Sequence, residues 1–297
     1  MTGRGRTVLA GIDGSDGSAE AVRWAAGLAA GRGLELELLH CLRVASLYYG
    51  GGLAGSEALF RNIQREGDRI VAEARGLALE VDPAVRVRTE VCHDPAAAAL
   101  IDRSRGTRMA VLGRTGLGGF AGMLVGGTTA TVASHAYCPV TVVRGRHGDG
   151  AVPQEGPVVV GVDGSPNSEA AIAAAFEEAS FRRAPLVAVH AWADVTYDST
   201  EGMARLLPQW EVLQPDEERL LAERLAGWQE KYPDVPVERK LVRDRPRHIL
   251  LDESARARLV VVGSRGRGGF TGMLLGSTSQ ALIQHAWCPV LVVRPER

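Results

Sequence analysis

The sequence has little cysteine, almost no lysine and no long apolar run of a membrane-spanning kind, and each scarcity excludes something. Four cysteines, Cys41, Cys92, Cys138 and Cys288, are scattered through 297 residues with no C-x-x-C pair. That is too few for a disulfide framework, and neither half has a Cys/His metal spacing, so they read as reduced core residues of a cytoplasmic protein. Lysine occurs only at Lys231 and Lys240, arginine carries the rest of the positive charge, and the formal net charge is −1. Nothing in that total draws the chain to nucleic acid or to a membrane surface. Thr115 to Val143 has no formal charge apart from His135 and is long enough for a membrane helix, but its glycines, threonines and Pro139 divide it into a loop, a helix and a strand. The opening MTGRGRTVLAGID has basic residues but only a short apolar run before Asp13, and it is not read as a signal peptide. No G-x4-G-K-[S/T] occurs, so a P-loop is excluded.

What the chain does have is an internal repeat. Gly11-Ile-Asp13-Gly-Ser15 recurs as Gly161-Val-Asp163-Gly-Ser165, His40 as His190, Asp102 as Asp252, and Cys138-Pro-Val140 as Cys288-Pro-Val290, each at an offset of 150. Between Gly119–Arg144 and Gly269–Arg294, 15 of 26 aligned positions are identical, which sets chance aside. A period of domain size means two duplicated domains, 1–146 and 158–297, joined by a linker at 147–157, rather than a solenoid.

Within the first half the pattern predicts strands at Thr7–Ile12, Leu34–Leu42, Val85–Cys92, Met109–Leu112 and Val140–Val143. Helices are expected at Ala19–Ala30, within about Glu57–Leu79, after Asp94-Pro95, and from about Thr128 to His135. Ser15 or Ser18 is the N-cap candidate of the first helix, and Gly31 or Gly33 its stop. The second half repeats this order, with a variable connection at Asp194–Gln214 and a helix opening at Asp216-Glu-Glu218. Short, continuously apolar strands alternating with helices imply an α/β fold with a parallel sheet covered on both faces.

The chemistry-bearing stretch is Gly263–Ser279, GSRGRGGFTGMLLGSTS, with its copy Gly113–Thr129, GRTGLGGFAGMLVGGTT. Each follows a buried strand and enters a helix, where converging backbone N–H groups and the positive helix end favour a phosphate. Gly116-Leu-Gly118-Gly-Phe-Ala121 satisfies a permissive dinucleotide fingerprint, but it follows strand four rather than strand one, and Thr271 breaks it in the second copy. Open parallel sheets bind ligands beyond the carboxyl ends of their strands, so Asp13 should meet the first loop and Asp163 the second. These carboxylates either contact ligand, ribose or phosphate-bound Mg²⁺ included, or hold the turn that caps the next helix. His40, His190, His135 and His285 read as packing or helix-end residues. Trp192, Tyr197 and Trp210 are candidates for an adenine wall, or cover core or an oligomer contact. Arg243, Arg245 and Arg247 form a solvated face or add phosphate contacts.

At these residues the chain resembles the universal stress protein family in its tandem-domain form, whose nucleotide-binding members carry G-x2-G-x9-G-[S/T] after the fourth strand. Gly263, Gly266, Gly276 and Ser277 match that motif, and the Asp-Gly-Ser ends of the opening strands and H-x2-C-P-V near the end of each half extend the likeness. The resemblance implies two Rossmann-like (adenine nucleotide alpha hydrolase-like) domains, each a five-stranded parallel sheet of order 3-2-1-4-5. It also implies an ATP-binding stress-response regulator acting through conformation or partner binding, with ADP, AMP or cyclic AMP as alternative ligands. A slow ATPase or phosphotransferase and a nucleotide-free interaction module are the competing functions.

Carried onto this chain, the resemblance places nucleotide on Asp163, Gly263, Arg265, Gly266, Gly276, Ser277, Thr278 and Ser279, with the backbone of Ala191 against adenine. In the first half the same roles fall to Asp13, Cys41, Gly113, Arg114, Gly116, Gly126, Gly127, Thr128 and Thr129. The family's dimerisation through the last strand implies that Val140–Val143 and Val290–Val293 pair within one chain, and a homo-oligomer is expected. The first half departs from the motif: Gly127 stands where Ser or Thr belongs, and Arg265 and Arg267 become Thr115 and Leu117 while Arg114 replaces Ser264. One lost hydroxyl and one lost net cation predict weaker binding at site one by about tenfold or more, since a charge-assisted contact contributes on the order of 1.5–3 kcal/mol.

Overall fold

The computed structural model describes residues 5–42, 57–116, 125–146, 151–191, 210–266 and 274–294, the side chains of 210–213 excepted. In the first half, β1 (Thr7–Ile12), α1 (Asp16–Arg32), β2 (Glu35–Cys41), α2 (Glu57–Val81), β3 (Arg86–Cys92), α3 (Ala96–Arg103), β4 (Met109–Gly113), α4 (Gly127–His135) and β5 (Val140–Val143) follow one another. The second half repeats the order as β6 (Val158–Val162), α5 (Pro166–Arg182), β7 (Leu186–Ala191), α6 (Trp210–Lys231), β8 (Val237–Val242), α7 (Pro246–Ser254), β9 (Leu259–Gly263), α8 (Ser277–His285) and β10 (Val290–Val293). Trp192 and Tyr197 of the suggested adenine wall lie outside the described residues, as does the Trp210 side chain.

The local signals explain most boundaries. Ser15 rather than Ser18 caps α1, its hydroxyl accepting from Ser18 N at 3.2 Å, and Gly33 ends the helix at φ 63°. The second half departs from expectation at α6, which begins at Trp210 instead of Asp216 and runs through Pro215. Proline removes one helix hydrogen bond there. Two side-chain contacts anchor the turn around it: Gln214 donates to Glu218 at 2.7 Å, and Glu217 reaches His190 at 2.8 Å.

Each half pairs its strands in parallel in the order 3-2-1-4-5, and β5 pairs antiparallel with β10, giving one ten-stranded sheet β3-β2-β1-β4-β5-β10-β9-β6-β7-β8. Helices α1, α2, α5 and α6 cover one face over a core that includes Leu36, Leu38, Phe176 and Leu186, and α3, α4, α7 and α8 cover the other. The inner strands are buried on both faces, so they read as continuous apolar runs. The outermost strands β3 and β8 instead carry charge, as RVRTEVC and VERKLV, which discourages edge-to-edge pairing.

At the β5–β10 seam the two halves clamp each other. Buried Arg144 donates to Ile283 O in the last turn of α8 at 2.8 Å, and Arg294 donates to Ser134 O in the last turn of α4. Both contacts satisfy carbonyls that a helix end leaves unpaired and set a cation at its negative end. On the opposite face Arg32 of α1 bridges to Glu177 and Glu178 of α5.

Candidate functional site

Both crevices are built from the carboxyl ends of strands one, two and four of their half. After β1 the chain turns at Asp13-Gly14-Ser15, with Gly14 at φ 83°, and after β6 at Asp163-Gly164-Ser165, with Gly164 at φ 75°. Only glycine adopts that left-handed conformation without strain. The aspartate oxygen Oδ1 holds the turn, accepting from Ser15 N at 3.1 Å and Ser15 Oγ at 2.6 Å, or from Ser165 N at 2.9 Å. The other oxygen, Oδ2, lies against the loop after strand four. A Cβ on Gly116 would collide with Asp13 Oδ2, and one on Gly266 would fall 2.6 Å from Asp163 Oδ2. The carboxylate therefore steadies the turn, one of the two roles the sequence left open, while its second oxygen faces the loop, where the loop glycine makes room for it.

The remaining loop residues divide by role. Gly113 and Gly263 sit where strand four meets the start of the first helix, and a Cβ would strike Gly17 O or lie 2.8 Å from Asn167 Cβ, so their requirement is close packing. Gly126 N donates to Arg114 O at 2.9 Å and Gly276 N to Ser264 O at 2.7 Å, closing the base of each loop. Thr129 Oγ1 donates to Gly113 O at 2.9 Å and Ser279 Oγ to Gly263 O at 2.7 Å, a second clasp from the first turn of the helix. These hydroxyls commit their protons to the protein and fix the distance between the strand end and the helix start. Residues 117–124 and 267–273, Arg267 included, lie outside the described residues.

The helices that follow are the sharpest chemical feature. Helix α1 has Ser15 and α5 has Ser165 as a side-chain cap, whereas the N-cap residues of α4 and α8 are Gly126 and Gly276, with no side-chain cap hydrogen bond. The first turns thus present amide N–H groups from Gly127, Thr128 and Thr129, and from Ser277, Thr278 and Ser279, without an internal acceptor supplied by the cap. Such a turn favours an anion. Ser277 adds a hydroxyl where Gly127 has none, and exposed Arg265 adds a cation where the first loop has Thr115.

A cavity of about 730 Å³ opens at the first crevice, in the range of small-molecule sites. Gly11–Asp13, Leu39–Leu42, Gly113, Gly116 and Gly126–Thr129 line it, which brings together all but Arg114 of the first-half residues singled out from the sequence. Its outer wall comes from α2, through Asn62, Glu66, Gly67 and Ile70, which sequence reasoning did not assign. The available signal was Gly67, a glycine inside a helix; a Cβ there would lie 2.7 Å from Leu42 Cδ2 and 3.3 Å from His40 Cδ2.

At the second crevice Glu217 occupies the corresponding place, and His190 is held by Val162 O at 2.7 Å and Glu217 at 2.8 Å. His40 makes the first contact alike, to Ile12 O at 2.9 Å. Both histidines thereby tie strand two to strand one, and His135 lies in the last turn of α4, bonded to Thr131 O at 2.9 Å. Arg243, Arg245 and Arg247 are exposed around the start of α7. Among the described residues no group of three or more His, Cys, Asp or Glu side chains is arranged to hold a metal, and no helix is long and apolar enough to cross a membrane.

Comparison with known proteins bears on the same architecture. A model of the universal stress protein family matches residues 5–144 and again 156–294. A universal stress protein of Mycolicibacterium smegmatis is 41% identical over 97% of each chain. Another, from Mycobacterium tuberculosis strain H37Rv, is 43% identical over 97% of this chain and 96% of its own. The crystal structure of a universal stress protein from Archaeoglobus fulgidus superposes with a TM-score of 0.70 at 18% identity, covering 98% of this chain and 99% of that one, which shows a shared fold.

Proposed function

The chain belongs to the universal stress protein family, and from that premise we propose that its two crevices bind adenine nucleotide, ATP foremost, and that occupancy biases conformation or partner binding. One observation carries the reading. In each half the uncapped start of a helix faces the crevice at a strand end where an aspartate Oδ2 lies against the loop glycine, Asp13 with Gly116 and Asp163 with Gly266. The helix start suits phosphate, and the carboxylate suits ribose hydroxyls or a phosphate-bound cation. Beside them, the site-one cavity offers the apolar side chains of Leu39, Leu112 and Ile70 and the strand end at Cys41 for a base.

Site two is the tighter of the pair in this reading. Ser277 and Arg265 each add a donor for phosphate where site one has Gly127 and Thr115, and tenfold in affinity corresponds to about 1.4 kcal/mol. Regulation follows only when the nucleotide binds one state of the protein more tightly than another. Denaturing freshly purified protein and identifying the released small molecules tests the reading: adenine nucleotide at up to two per chain is expected. Protein that releases none, and binds none of ATP, ADP or cyclic AMP when titrated, overturns it.

A further inference from the structure

Cys41 and Cys92 lie at the ends of β2 and β3, and the strand register pairs them directly. Residues paired in register on neighbouring parallel strands project from the same face, and strands lie about 4.8 Å apart, within the roughly 4.4–6.8 Å Cα separation that a disulfide spans. Their sulfurs are 2.7 Å apart, both as free thiols. The backbone ladder continues past them, with Leu42 N donating to Cys92 O at 2.8 Å, so the strand ends are held together independently of the sulfurs. Cys41 also lines the site-one cavity. At the same register the second half has Ala191 opposite Val242, so the pair is private to the first domain.

We propose that Cys41 and Cys92 are a reversible oxidation site at the rim of the first crevice, closed to a disulfide by exchange with a low-molecular-weight disulfide. Cys92, half-buried where Cys41 is buried, is the entry point. As a thiolate it attacks one sulfur of RSSR, forming Cys92–S–S–R and expelling RS⁻, which takes up the proton Cys92 released. Cys41 then gives up its proton and attacks the Cys92 sulfur, and the second RS⁻ leaves with that proton. Two protein thiols are oxidised, one RSSR is reduced, and two RSH are formed. Burial, with contributions from Cys92 and Asp94, pushes the Cys41 thiol up and away from the first step, so Cys41 enters only because its sulfur already lies against that of Cys92. Burial also raises Cys138 and Cys288 to about 12, which keeps them out of the exchange.

The chemistry stands without nucleotide; only its placement at a ligand site rests on the function proposed above. The full-length chain is incubated with oxidised glutathione, acid-quenched, denatured and alkylated, and its mass and peptide map are read. Of the four thiols, two are expected to be lost, with a Cys41–Cys92-linked peptide that dithiothreitol removes. Cys41→Ala should stop at a glutathione adduct on Cys92, and Cys92→Val should keep all three of its thiols, each variant carrying the side chain the second half uses. Four remaining thiols in the wild type, a linkage involving Cys138 or Cys288, or a wild-type adduct that never resolves to the intramolecular bond would overturn the proposal.

Discussion

The two crevices are one design executed twice with different side chains, and the differences fall where ligand would be touched. The shared parts are structural: the Asp-Gly-Ser turn, the histidine tying strand two to strand one, and the double clasp of the loop by Gly126 and Thr129 or Gly276 and Ser279. The unshared parts are Gly127 against Ser277, Thr115 against Arg265, Gly67 against Glu217, and the cysteine pair against Ala191 and Val242. Duplication has thus kept the frame that places a helix start beside a carboxylate, while the groups projecting from that frame have diverged.

Breaking the shared frame should produce the largest effects. Gly116→Val would place side-chain atoms on the Asp13 carboxylate, and Gly266→Val would do the same to Asp163. Each is expected to weaken nucleotide binding at its own site by roughly a hundredfold or more, about 2.7 kcal/mol, and to leave the other site within about threefold. Calorimetric titration with ATP checks this, and equal losses at both sites in either variant would show that the crevices are not independent.

The reciprocal clamp sharpens the comparison in terms of stability. Arg144 is 4% exposed, and its guanidinium serves a carbonyl at the end of the other half's helix. Arg144→Ala should cost about 2 kcal/mol by leaving that carbonyl buried without its charged donor. Arg294→Ala should cost less, because its site is more open. Urea unfolding of the two variants measures both.

Exchanging the unshared residues should move affinity by smaller steps. Arg265→Thr with Ser277→Gly is expected to weaken site two by about tenfold, and Thr115→Arg with Gly127→Ser to tighten site one by a similar factor. A null result for both exchanges would remove the chemical basis for ranking the sites.

The smallest expected effect concerns acid. A hydrogen bond from Arg103 holds the Glu90 carboxyl below its ordinary value. Burial pushes Glu253 up, but Lys240 and Arg256 outweigh it, so that carboxyl also lies low. A carboxyl lowered by folding contributes stability above its unfolded value and loses it as pH falls through the folded one. Arg103→Ala and Lys240→Ala should therefore each lower the unfolding free energy measured with urea at pH 7 by a small amount, under about 1 kcal/mol for such part-exposed pairs. The difference from wild type should shrink as pH falls below the ordinary carboxylate range and through the lowered folded-state values.

Much of this was legible in the sequence, because the repeat compares the chain with itself. A constant offset located both loops and both aspartates, apolar runs bounded by glycine marked the inner strands, and the strand order came from the family resemblance. The misses have physical causes. Helix α6 starts before Pro215 rather than at the acidic Asp216-Glu-Glu218 signal, with the contacts of Glu217 to His190 and of Gln214 to Glu218 flanking the proline. The wall supplied by α2 escaped notice because its facing residues are set by how the helix packs on β2 and β3, which periodicity does not disclose. The clasp made by Thr129 and Ser279 was not legible either, since only the fold shows their hydroxyls donating to Gly113 O and Gly263 O.

The central claim is that one frame makes two nucleotide sites and that the second grips harder. Titrating ATP into wild type, Asp13→Ala and Asp163→Ala tests it most directly. The account predicts two binding events in the wild type at least tenfold apart, with Asp163→Ala removing the tighter and Asp13→Ala the weaker. Two events of equal affinity, or loss of the tighter event on changing Asp13, would contradict it.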